Sequence, residues 1–180
     1  MFTLTVNEST VLRSIQSPCG AALYAVLEAN RAHVARWHPW VNVLHSAQDA
    51  ERMVLSWQAM NVNRQGHFNG IWRDGCLVGM VNFAFFEWAN HWAAMSYWLA
   101  EAEQGRGLMT ECCRGLIGHG FESLHLNRIT IESAVDNPRS RRVPERLGFT
   151  SEGVVRQVEW LGDRHVDHAI YGLLRSEWRR

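Results

Sequence analysis

The segment Gln104-Gly105-Arg106-Gly107-Leu108-Met109 is where residue type and spacing in this chain point most directly to ligand chemistry. Gly105 and Gly107 carry no side chains, so the backbone there can curl with its N–H groups turned inward and approach a ligand closely. An amphipathic stretch begins near Leu108, and the positive end of a helix starting there adds to the same field. The combination suits a pyrophosphate, with Arg106 able to supply a charge-assisted contact. Two other phosphate chemistries fit poorly. The segment lacks a Gly-Lys-Ser/Thr ending, which argues against a nucleoside-triphosphate loop, and no third glycine or suitably spaced acidic residue supports a dinucleotide site. Taken alone, two glycines before a helix also serve many ordinary helix entries.

Other chemistry-bearing residues are less pointed. Cys19, Cys76, Cys112 and Cys113 form no C-x-x-C pair and have no histidine partners at zinc-finger spacing, so reduced thiols are expected. Cys112 and Cys113 fall on or beside the packing stripe of a helix, which favours packing over a covalent role. His165-Val166-Asp167-His168 has metal-ligating residue types. On a strand, however, His165 and Asp167 face one way and His168 the other, so no metal is expected.

Stepping along the chain gives the elements that must hold these residues. Thr3 to Leu12 alternates loosely and reads as a strand, and Gly20 to Asn30 as a helix with Leu23, Val26 and Leu27 on one face. Trp37-His38-Pro39-Trp40 breaks the helical pattern, and a second helix is expected from Ala47 to Asn63. His67 to Leu99 reads as an antiparallel meander of three runs, turning first at Asp74-Gly75. A helix from Leu108 to Ser123 places Met109, Cys112, Cys113, Leu116, Ile117 and Phe121 on one stripe, fit to lie on a sheet. Arg128 to Val135 then reads as a strand and Asn137 to Leu147 as a short helix ended by Gly148. Thr150 to Leu161 and His165 to Leu174 form a hairpin turning at Gly162-Asp163. The fold class is therefore α/β (α+β): a mixed sheet with helices on its faces, in one domain over residues 1–180. Strand, helix, strand around the glycine segment implies a parallel crossover, which sets strand ends beside a helix N-terminus, a common place for a ligand.

Several motifs now stand in order: Tyr97-Trp98-Leu99; Gln104 to Met109 with Thr110-Glu111; Asn127-Arg128; Asn137-Pro138-Arg139-Ser140-Arg141-Arg142-Val143; Leu147-Gly148-Phe149; and Glu152-Gly153. This series resembles the GCN5-related N-acetyltransferase (GNAT) family, and most of all its RimJ/RimL branch, which acetylates protein N-termini. The spaced match runs from Tyr97 to Gly153, and the element order extends it over the whole chain. The resemblance implies a mostly antiparallel sheet of about seven strands and acetyl-CoA as acetyl donor. It implies that Gln104, Gly105, Arg106, Gly107, Leu108, Met109 and Thr110 wrap the pyrophosphate. The strand Ala94 to Leu99, with Trp98 and Leu99 at its end, would carry a bulge and pair with the pantetheine arm. A backbone N–H near Leu99 would polarise the thioester carbonyl, and donors aimed at developing oxyanion charge are what acyl transfer needs. Asn137 and Ser140 match positions near the cofactor's thiol end, and Trp37, His38 and Trp40 match a connection that lines the acceptor cleft. Met109 stands where many members have glycine or alanine, a mark of the branch.

One departure bears on mechanism. Many members place a tyrosine seven residues after the matching asparagine, as general acid for the leaving thiolate, and here that position is Pro144. Proline donates nothing, and its ring removes the hydrogen bond to residue 140, so the helix should be disturbed or shortened. The resemblance then makes Ser140 the donor and Glu159 the base. Each has a plainer reading: Asn137 as a helix cap, Ser140 as a polar residue of the first turn, Glu159 as a solvent-face residue of an alternating strand, and Trp37-His38-Trp40 as a buried aromatic hinge. An α-amine with a pKa of about 7.7–8.0 is neutral in roughly a quarter of molecules near pH 7.4, against about one lysine in a thousand. A glutamate base therefore suits a protein N-terminal α-amine best. The alternatives are a small-molecule amine acceptor (a polyamine, an amino acid or a drug) and a non-catalytic acetyl-CoA-binding module.

Bulk composition is compatible with this reading. The 180 residues can bury a core without disulfides. Eighteen basic against eighteen acidic residues give a formal net charge of zero, with no general pull toward nucleic acid or an anionic membrane. The first twelve residues lack the pattern of a signal peptide, and no later stretch could span a bilayer, so a cytoplasmic protein is expected. Nine tryptophans leave room for aromatic surface in a cleft or a homodimer.

Overall fold

The computed structural model describes residues 2–179. These form eight strands and five helices: β1 (Thr3–Asn7), β2 (Thr10–Ser14), α1 (Gly20–Ala29), α2 (Arg31–Ala35), α3 (Ala47–Val62), β3 (His67–Arg73), β4 (Cys76–Glu87), β5 (Trp92–Leu99), α4 (Leu108–Glu122), β6 (Arg128–Ala134), α5 (Pro138–Arg146), β7 (Thr150–Leu161) and β8 (Arg164–Leu174). All strands join one sheet in the order β1-β2-β3-β4-β5-β6-β8-β7. Every neighbouring pair is antiparallel except β5 and β6. The expected mixed, mostly antiparallel fold is present, with eight strands in place of about seven. The additional strand arises because Thr3 to Leu12 is not one strand. It folds back at Glu8-Ser9, where the Ser9 N–H donates to the Asn7 side-chain oxygen at 3.2 Å, and pairs with itself as β1 and β2.

Local chemistry accounts for most boundaries. Asp74 and Gly75 both take positive φ (48° and 81°), the backbone that a tight hairpin between β3 and β4 requires. Ser46 caps α3 by accepting from the Asp49 N–H at 3.1 Å. His38 is held out of the helical region (φ −135°, ψ 78°) by the proline that follows it, so the chain swings over the sheet between α2 and α3.

The sheet is covered on both faces. On one, Leu108, Cys112, Cys113, Leu116, Ile117 and Phe121 of α4 pack with Phe83, Met95, Ile129 and Ile131 of the sheet. On the other, Leu23 and Leu27 of α1 and Ala50 and Val54 of α3 pack with Phe68, Met80 and Trp98. Cys112 and Cys113 are fully buried, and burial pushes the Cys112 thiol up to about 12 and the Cys113 thiol well above its ordinary value, so neither is a ready nucleophile. Pro144 does not break α5, which runs through it to Arg146. Pro144 is buried, and its ring leaves the Ser140 carbonyl without its helical N–H partner.

Candidate active site

The site begins where two parallel strands separate. β5 and β6 pair only from Trp92 opposite Arg128 to Met95 opposite Ile131. Beyond Met95, β5 continues along β4 alone, up to Leu99 opposite Gly79. The Ala100 N–H points to β4, donating to Val78 at 2.8 Å. Peptide groups alternate along a strand, so those of Tyr97 and Leu99 face the opened edge. The Leu99 carbonyl is taken there by the Gln104 amide at 3.1 Å, and the Tyr97 backbone hydrogen-bonds to His38. β5 does not carry the expected bulge: Phe83 pairs with Met95 and Phe85 with Ala94, so the extra residue is Ala84 of the neighbouring β4.

A cleft of about 550 Å³ follows this edge to the start of α4, within the usual size of a ligand site. Gly105 and Gly107 lie on its wall with φ of 79° and 83°, conformations that side chains disfavour. A Cβ on either would meet no atom within 4 Å. The glycines are needed for backbone curvature, and the space beside them is open. No side chain caps α4, and its first intrahelical acceptor, the Gly107 carbonyl, serves Glu111. The amides of the first turn are therefore free of helical partners, and Leu108, Met109 and Thr110 line the cleft. Trp98, Leu99, Gln104, Leu108, Met109, Thr110, Asn137 and Ser140 also line it.

Arg106 does not line the cleft. Positive charge comes instead from α5, where Arg139, Arg142 and Arg146 all line it. Their spacing of three and four residues puts them on one helical face, a pattern the sequence displays but that reading the glycine segment by itself overlooks. An anion-binding backbone, an opened strand edge and a basic wall together fit a phosphorylated cofactor with an extended peptide-like arm. In this site the Gly105–Thr110 backbone would hold its pyrophosphate and β5 its arm.

A second, smaller cavity of about 160 Å³ shares Trp37, His38, Tyr97, Asn137 and Ser140 with the first and adds Glu132, Glu159 and His168. The two cavities thus meet at Ser140. Asn137 caps α5, its side-chain oxygen accepting from the Ser140 N–H at 3.2 Å, so the plainer reading holds for it while it also lines both cavities. Ser140 is further tied to β5. The Tyr97 hydroxyl donates to the Ser140 carbonyl at 3.0 Å, and the Ser140 hydroxyl donates to the Tyr97 oxygen at 3.3 Å. Burial pushes the Tyr97 phenol well above its ordinary value, so it remains protonated. Tyr97 was legible in sequence only as part of a motif, without a role.

Glu159 reaches the smaller cavity through an irregularity. Val155 pairs with His168 and Glu159 with Val166, so three residues of β7 lie between pairs that are two apart on β8. Gln157 takes φ of 52° at the bulge and donates its N–H to Asp167 at 2.8 Å. Glu159 is thereby drawn beside His168, whose Nε2 lies 2.9 Å from Glu159 Oε2, with Glu132 3.7 Å from Nδ1. Trp37 and His38 line both cavities. Burial holds the His38 ring down to about 4 despite its bond to the Tyr97 backbone, so it is neutral near pH 7. Trp40, expected at the acceptor cleft, lies elsewhere. It lines neither cavity and meets Trp57 edge-on at 5.7 Å within the second core cluster, because the 3-10 turn Pro39–Val43 rotates it inward.

Comparisons with known proteins bear on this geometry. Residues 11–150 match the model of the acetyltransferase (GNAT) domain. YdaF of Bacillus subtilis, provisionally assigned as a ribosomal N-acetyltransferase, is 34% identical over 99% of this chain and 98% of its own. The ribosomal-protein-serine acetyltransferase of Escherichia coli is 30% identical over 94% of each chain. A solved structure of RimL, a ribosomal alpha-N-protein acetyltransferase in complex with coenzyme A, superposes with a TM-score of 0.93 at 25% identity, over 96% of this chain and 98% of that one.

Proposed function

This chain belongs to the GNAT acetyltransferase family and uses acetyl-CoA, and on that premise we propose that its acceptor is the α-amine of a protein N-terminus, of the ribosomal-protein type. Acetyl-CoA supplies the acetyl group as an activated thioester. The observation that carries the reading is the meeting of the two cavities at Ser140, with Glu159 across the smaller one. A thioester laid along β5 would end at Ser140, and an amine entering the smaller cavity would face Glu159.

Each residue then has a defined task. The Gly105–Thr110 backbone, with Arg139, Arg142 and Arg146, holds the phosphates. The Leu99 N–H, on the opened edge, donates to the carbonyl oxygen as it gains charge. Glu159 takes the proton of the attacking amine, and Ser140 hydrogen-bonds the departing sulfur. Serine is a poor acid and thiolate a tolerable leaving group, so a hydrogen bond suffices. Two carboxylates, Glu132 and Glu159, favour a cationic acceptor, and an α-amine needs little help to deprotonate. Trp37 and His38 form the wall across which the first acceptor residue lies. The same reading places the protein in the cytoplasm, as one domain that can act as a homodimer. No helix among the described residues is long and apolar enough to cross a membrane.

A panel of peptides with free N-termini, N-blocked lysine peptides, polyamines and amino acids, read by thiol release from acetyl-CoA, tests the acceptor class. Free-N-terminus peptides should exceed the others in kcat/KM by at least tenfold. Faster turnover on a small amine would overturn the assignment, and CoA binding without turnover on any amine would leave only a binding module.

A further inference from the structure

Pro144 and Tyr97 are related through one carbonyl. In an uninterrupted α5 the N–H of residue 144 would donate to the carbonyl of residue 140. Proline has no N–H, so the carbonyl of the half-buried Ser140 must find another donor. The group that takes up the Ser140 carbonyl is the Tyr97 hydroxyl, 3.0 Å away and projecting from β5. The same hydroxyl receives the Ser140 Oγ–H at 3.3 Å. Tyr97 therefore grips Ser140 at two atoms, and it lines both cavities where they meet.

We propose that Tyr97 is a positioning residue for the transfer reaction. Its phenol replaces the backbone donor lost at Pro144 and, through the Ser140 carbonyl, holds Ser140 at the thiol end of the cleft; the single Ser140 O–H, given to the Tyr97 oxygen at rest, turns from it to the sulfur as the thiolate departs. Tyr97 is not the acid. Passing its proton through Ser140 to the leaving thiolate would leave a buried phenolate near Cys113 and Tyr171, both of which disfavour its charge. Its one O–H is given to the Ser140 carbonyl, so the phenol's proton is committed to position. The inference rests on the reading of Ser140 given above, and its test separates the two.

The test compares Tyr97→Phe, Ser140→Ala, Pro144→Ala and the double variants in the full chain, with acetyl-CoA and a free-N-terminus peptide. Tyr97→Phe should lower kcat about tenfold while the KM for acetyl-CoA stays within twofold. Pro144→Ala restores an N–H to the Ser140 carbonyl, so it should return at least threefold of that loss in the Tyr97→Phe background while changing the parent little. In the Ser140→Ala background Tyr97→Phe should cost less than twofold. A kcat in Tyr97→Phe equal to the parent's where Ser140→Ala is slow, an undiminished loss in the Ser140→Ala background, or no recovery with Pro144→Ala would each overturn the proposal. If Ser140→Ala leaves turnover unchanged, it is the role of Ser140 that falls, and the clamp is then judged by thermal unfolding. Tyr97→Phe must lower the Tm and Pro144→Ala must recover part of it, or the clamp is wrong as well.

Discussion

His168 Nε2 lies 2.9 Å from Glu159 Oε2, joining adjacent strands at the wall of the smaller cavity. An ionised carboxylate can only accept, so the ring donates, and the bond fixes which way Glu159 points. His168→Ala should lower kcat five- to twentyfold with the KM for acetyl-CoA unchanged, while His168→Gln, which keeps an N–H donor, should retain most of the turnover. Steady-state kinetics on a free-N-terminus peptide check this. Equal losses in both variants would mean that the ring serves another purpose.

The glycine loop offers a test in which sterics play no part. Gly107 has φ of 83° and open space where a Cβ would stand, so Gly107→Ala is opposed only by backbone strain, of about 1–2 kcal/mol. Relief of that strain would turn the loop amides away from the cleft. Calorimetry should show CoA affinity reduced about tenfold, with a Tm lowered by only a few degrees. Unchanged affinity would remove these amides from the binding site.

The arginines of α5 should behave as a local anion site and not as a general field, since the formal net charge is zero. Arg142→Ala and Arg146→Ala should each weaken CoA three- to tenfold, and the loss should shrink as salt rises from 50 to 500 mM (roughly 14 to 4 Å of Debye length). Arg106→Ala should cost less than either, since Arg106 lies off the cleft wall. Titrations of the three variants at both salt concentrations decide the order.

Acid should destabilise the protein before its carboxylates protonate. Burial, with His119 close by, holds His67 down to about 4, and burial holds His38 at about 4. Below an unfolded value near 6.5 the unfolded chain binds protons that the folded chain refuses, so stability falls as pH drops from 6.5 toward 4. The slope is roughly 1.4 kcal/mol per pH unit for each histidine. Thermal unfolding should give a Tm at pH 5 several degrees below that at pH 7. His67→Gln, which does not titrate, should reduce that difference, and an equal drop in the variant would exclude His67 as its source.

Particular elements show how far sequence carried and where it stopped. The meander, the α4 stripe and the β7–β8 hairpin are legible because each rests on a period or a turn chemistry within a few residues. The β1–β2 turn was missed because Glu8-Ser9 lacks a strong turn signature. For Trp40 the buried-hinge reading fits, and nothing within the Trp37–Trp40 segment says which ring a 3-10 turn will rotate into the core.

By itself the sequence determined that the segment before α4 can curl: Gly105 and Gly107 admit the left-handed backbone found there, and a helix start follows them by local rule. It also determined that no phenol occupies position 144. Only the tertiary structure decided what that means. The Ser140 carbonyl freed by Pro144 meets Tyr97 from a strand 43 residues away, and Glu159 meets His168 because a bulge at Gln157 shifts the register of β7. Such pairings depend on how strands and helices are laid against one another, and no spacing along the chain encodes a distance across a cleft.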